Sequence, residues 1–118
     1  MLGIPLKTIS LLVISNIFMI LAWYGHLKFK SKPLVIVILA SWTLAFLEYC
    51  FQVPANRIGY GYFTAAQLKV LQEVITFLVF FVFSYFYLKE KPTLYDIIAF
   101  LLITLAVGIS LLQPRKIP

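Results

Sequence analysis

The chain has 118 residues, of which 63% are hydrophobic and 12% charged, and it carries a net charge of +6. Too little polar surface remains to coat a globule in water, which excludes a soluble domain. The lysines and arginines stand in short clusters at the ends of apolar runs, a pattern that matches lipid headgroups. Too few residues lie outside those runs to build a basic face for nucleic acid.

Four apolar runs follow one another. The first, residues 6–27, is long enough to cross a bilayer core, which takes roughly 20 residues, and it is closed by Lys28, Phe29, Lys30, Ser31, Lys32 and Pro33. Lys7, near its start, is the only basic residue an n-region would have, and no small-x-small pattern follows, so it is expected to remain as a span rather than be removed as a signal peptide. The second run, 34–53, is expected to stop at Pro54, because proline lacks the N–H that continues a helix and restricts the residue before it. Residues 54–62 would then be a glycine-bearing loop. Thr64 and Gln67 fit a capping box, which predicts a third helix over 64–88 ending at Lys89, Glu90, Lys91 and Pro92. The fourth run, 94–112, is closed by Gln113 and Pro114, with Arg115 and Lys116 behind it. The expected fold class is all-α: a polytopic membrane protein, one domain over 1–118, built as a bundle of four transmembrane helices. Its short connections predict that sequential helices are antiparallel neighbours.

Ionisable side chains inside such runs are costly unless they are paired, snorkel or line water. Glu48 lies roughly 9 Å before Pro54, Lys69 roughly 7 to 8 Å after Thr64, and Glu73 one turn deeper at roughly 13 Å. On a hairpin this gives Glu48 and Lys69 a common depth, and the i,i+4 spacing gives Lys69 and Glu73 a common face. Ser41, Ala45, Glu48 and Gln52 form one stripe, and Ala66, Lys69, Glu73 and Thr76, with Gln72 at the edge, form another. The two stripes are expected to face each other in the bundle. Two interpretations stay open: a structural polar cluster that fixes helix register, or a site whose one excess negative charge takes a proton or a cationic solute. Lys69 also has the option of reaching the headgroups.

Asn16, on a stripe with Leu12, Met19 and Trp23, is expected to make an interhelical hydrogen bond. His26, beside Trp23 and Tyr24, is expected to be part of an interfacial anchor rather than a proton relay or ligand. Asn56, Arg57 and Tyr60, together with Gly59, Gly61 and Tyr62, are candidates for a gate at that membrane face, although an aromatic belt accounts for the tyrosines as well. Ala99, Ala106 and Ser110 offer a close-packing surface on the fourth helix. Cys50 is the only cysteine, so no intrachain disulfide is possible, and its role is unassigned. No nucleophile with its base, phosphate loop or metal triad is recognisable, so neither cofactor nor enzymatic activity is expected.

The segment FLEYCFQVPANRIGYGYFTAAQLKVLQEVITFLVFFVFS, residues 46–84, resembles the core of short bacterial inner-membrane proteins labelled as members of the drug/metabolite transporter (DMT) superfamily. Glu48, Tyr49, Phe51, Gln52, Pro54, Asn56, Arg57 and Gly59, then Gln67, Lys69, Gln72 and Glu73, carry the resemblance. It implies a four-helix transporter-like fold, working as a dimer. The small multidrug resistance exporters, similar in size, use a membrane glutamate in helix one. This sequence has none there, so Glu48 or Glu73 would have to carry any coupling.

The resulting expectation is a transporter-like protein of the bacterial inner membrane whose Glu48, Lys69, Glu73, Gln52, Gln72 and Asn16 surround a small polar or cationic solute, with or without a coupled proton. The alternative is a non-transporting scaffold or accessory subunit of a larger membrane complex. A homodimer through helix four is expected, parallel or antiparallel, because Lys7, Arg57, Arg115 and Lys116 on one side nearly balance Lys28, Lys30, Lys32, Lys89 and Lys91 on the other.

Overall fold

A computed structural model describes residues 3–113; Pro114, Arg115 and Lys116, expected to close the fourth span, lie outside the described residues. The chain forms α1 (Gly3–Tyr24), continued by a 3₁₀ turn over Gly25–Phe29; α2 (Leu34–Gly59); α3 (Ala65–Phe83), continued by a π-helical turn over Ser84–Leu88; and α4 (Leu94–Leu111). All four helices are long and apolar enough to cross a membrane, and the protein is a multi-pass α-helical membrane protein.

Helix ends follow local chemistry. The Thr64 hydroxyl accepts from the Gln67 N–H at 3.0 Å, and the Gln67 side chain accepts from the Thr64 N–H at 2.9 Å, the reciprocal capping box expected from the sequence. A second box, not anticipated, starts α4: Asp96 N–H donates to the Thr93 hydroxyl and Thr93 N–H to the Asp96 carboxylate. Lys89, at φ 63°, takes the left-handed conformation that stops α3 before Pro92.

The second helix corrects the expectation that it ends at Val53. Pro54 lies inside α2, which continues for more than a turn to Gly59. Proline forfeits one ladder bond, but Ala55 is fully buried and Gly59 is buried against Thr8 and Leu68, so packing holds those residues helical. The turn comes afterwards, where Tyr60 N–H donates to Asn56 O and Gly61 adopts φ 105°, a conformation that favours glycine.

The order of helices across the bundle is α2, α1, α3, α4. Helix α1 packs against both α2 and α3, and α4 packs on α3. Sequential neighbours hold for α1–α2 and α3–α4, but α2 and α3 lie apart over most of their length and meet near their connecting turn. The result is a slab of 50 × 34 × 19 Å. A small core of Leu12, Ala55 and Ile75, backed by Leu11 and Val79, lies where α1 contacts its two neighbours.

Candidate functional site

The central position of α1 explains the polar layer in mid-membrane. Adjacent residues on a helix point about 100° apart, so Ser15 and Asn16, both fully buried, face different neighbours. Ser15 faces α2: its hydroxyl lies 2.9 Å from Glu48 Oε2 and 2.6 Å from Gln52 Oε1. Asn16 faces α3: its Nδ2 donates to Leu12 O at 2.7 Å, and its Oδ1 accepts from the Thr76 hydroxyl at 2.5 Å. The rings of Phe18 and Phe51, stacked at 5.6 Å one turn along from Ser15 and Glu48, seal the α1–α2 contact beside the site.

Glu48 stands roughly 21 Å from the start of α2 and roughly 16 Å from its end, near the middle of the span rather than close to one face. It is buried, at 6% exposure. The one ion pair among the described residues is elsewhere, between Lys69 Nζ and Glu73 Oε1 at 3.0 Å on an exposed face of α3. The structure therefore does not bring Glu48 and Lys69 together, because α1 lies between most of α2 and α3. The i,i+4 relation of Lys69 to Glu73 holds, but their face is turned outward.

The residues singled out in the sequence fall into two places. Glu48, Gln52 and Asn16 join the mid-membrane layer, with Ser15 and Thr76 as bridges. Asn56, Arg57, Tyr60, Lys69 and Gln72 line a cleft of about 530 Å³ at the α2–α3 turn. Ser15 was missed because a serine in an apolar run carries no signal of its own; a stripe of Thr8, Leu12 and Ser15 at i, i+4, i+7 was the clue available. No group of three His, Cys, Asp or Glu side chains positioned for a metal ion occurs among the described residues. Cys50 is exposed on α2.

This separation has a measurable consequence. Lys69→Met combined with Glu48→Gln is expected to change unfolding stability in detergent by the sum of the single effects, to within about 0.5 kcal/mol, as for sites without shared partners. A clear departure from additivity would show that the two groups interact after all.

A slab of four spanning helices with a buried polar layer at its centre is the architecture of a small multi-pass membrane protein. A family model described as "Putative member of DMT superfamily (DUF486)" matches residues 8–111, and the chain belongs to that family. No curated protein and no solved structure matches the chain.

Proposed function

We propose that the protein is a transporter of the drug/metabolite transporter superfamily, resident in the bacterial inner membrane, and that Glu48 is the group at which a proton and a small cationic or polar solute exchange. The observation that carries this reading is a buried carboxylate in mid-span with no cation beside it among the described residues. An uncompensated carboxylate in hydrocarbon is costly, so the site is stable when it holds a proton or a solute cation and unstable when it holds neither.

The hydrogen-bond chain supports the same reading. Ser15 has one hydroxyl hydrogen and two oxygen neighbours, Glu48 Oε2 and Gln52 Oε1. With a proton on Glu48, that carboxyl donates to Ser15 and Ser15 donates to Gln52, and each contact has its hydrogen. With Glu48 ionised, Ser15 turns its hydrogen to the carboxylate, and Gln52 is left to exchange its carbonyl for its amide N–H. Protonation at Glu48 is thereby tied to the orientation of a side chain one turn away.

Helix α2 is an edge of the slab, with Trp42, Phe46, Tyr49 and Val53 exposed at helical spacing. A second copy seated there would cover this apolar face, and a homodimer belongs to this proposal, through α2 rather than through the α4 face expected from the sequence. The test is acidification of a weakly buffered detergent solution when small ammonium cations are added, with tetramethylammonium as the first probe. Release of about one proton per cation bound, lost in Glu48→Gln, is expected. Release of the same size in Glu48→Gln would overturn the assignment. Loss of a co-purifying assembly in that variant, without any effect on cation binding, would favour the scaffold reading instead.

A further inference from the structure

We propose that the cleft at the α2–α3 turn is a binding site for the phosphate of an anionic phospholipid headgroup. Its two cations come from different helices, Arg57 from the last turn of α2 and Lys69 from the second turn of α3, and both line the same cleft with the amides of Asn56 and Gln72. Arg57 makes no ion pair or side-chain hydrogen bond among the described residues, so its guanidinium fork is available for two phosphate oxygens. No carboxylate lines the cleft. Glu73 holds Lys69 from the side, which leaves the group with one excess positive charge, equal and opposite to the single charge of a phosphodiester.

Depth and lining select the lipid over a soluble anion. Helix α2 has 26 residues and is about 39 Å long, whereas the hydrocarbon core is about 30 Å thick, so its last turns stand at headgroup level. Arg57 lies about 3 Å from the end of α2 and Lys69 about 6 Å into α3, at one level on two joined helices. The cleft also has an apolar wall in Leu68, and Ile58, next to Arg57 on α2, is exposed. A phosphate joined to acyl chains satisfies both halves of this surface.

The test is thermal unfolding of the full chain in mild detergent with added phosphatidylglycerol, phosphatidylcholine or soluble glycerol phosphate. Phosphatidylglycerol is expected to raise the Tm saturably, with an apparent affinity about tenfold weaker in Arg57→Gln and in Lys69→Gln, the size of one lost charged contact. Glu73→Gln, which frees Lys69 from its competitor, is expected to strengthen binding severalfold, whereas Glu90→Gln, the same charge change at the other face, is expected to leave it unchanged. The triple variant Lys28→Gln, Lys30→Gln, Lys32→Gln serves as a control for basic residues outside the cleft. A loss in that control as large as in Arg57→Gln would overturn the site. Equal stabilisation by phosphatidylcholine would overturn its charge selectivity, and equal stabilisation by glycerol phosphate would overturn the lipid assignment. These outcomes do not depend on Glu48, so the transport reading stands or falls separately.

Discussion

In Glu48→Gln protein the pH dependence of cation binding is expected to vanish while the fold survives. If one cation displaces one proton, protons and cations compete for a single carboxylate. At pH values where Glu48 is protonated before binding, the affinity then strengthens tenfold for each unit by which the pH rises, and the proton is bound correspondingly more weakly when cation is present. Glutamine keeps an oxygen that accepts from Ser15, at the distance of 2.9 Å now spanned to Glu48, so the cost in stability should stay within about 1 kcal/mol. It has no proton to exchange, so the slope of log Kd against pH should go from about −1 to zero, with binding of a monovalent cation weakened at pH values where Glu48 is ionised. Ser15→Ala should differ in kind: the carboxylate remains, the slope near −1 remains, and the pH range over which it holds moves because the hydroxyl no longer favours one protonation state over the other. Calorimetric titration with tetramethylammonium across about two pH units separates these cases. A slope retained in Glu48→Gln would place the exchanging proton on another group and end the proposal for Glu48.

The four spans were legible because a run of about 20 apolar residues has few alternatives in a chain this short. The start of α3 was legible for a different reason, since a capping box is a local signal that needs no tertiary context. Pro54 misled because its cost is local while its compensation is not: the burial of Ala55 and Gly59 against other helices cannot be seen in the residues around the proline. The same limit applies to Glu48. Its presence in an apolar run marked it as exceptional, but spacing along a chain gives depth and face, not which helix lies opposite. Connection lengths suggested α2 beside α3, whereas α1 takes the place between them and supplies Ser15 as the partner that Lys69 was expected to be. Membrane helices that are apolar on every side give only a faint periodic signal, so the buried stripe of α1, with Thr8, Leu12, Ser15 and Asn16, stood out only once its neighbours were in place.

Gly59→Ala is expected to be the most damaging of the small substitutions at the helix junction. A Cβ at that position would lie 2.8 Å from Thr8 Cγ2, 2.9 Å from Leu68 Cδ2 and 3.0 Å from Thr8 Oγ1, closer than carbon atoms pack. Leu68 offers only the end of a mobile side chain and can turn away. Thr8 is fully buried, and a threonine on a helix has only two favoured rotamers, so its side chain has little room to yield and much of the strain falls on the approach of α1 to α2. Overpacking of this kind costs about 1–3 kcal/mol. Thr8 also offers the means of relief. Its hydroxyl is buried without a hydrogen-bond partner among the described residues, so Thr8→Ala removes a polar group that gains little from being there and opens the volume that the added methyl group would need. Unfolding measurements in detergent on the two single variants and the double should therefore give a double-variant loss smaller than the sum by at least about 0.5 kcal/mol. Strict additivity would mean that the close approach of α1 and α2 at Gly59 is not what limits the side chain there, and that Leu68 alone, or the backbone of the turn that follows, sets the requirement for glycine.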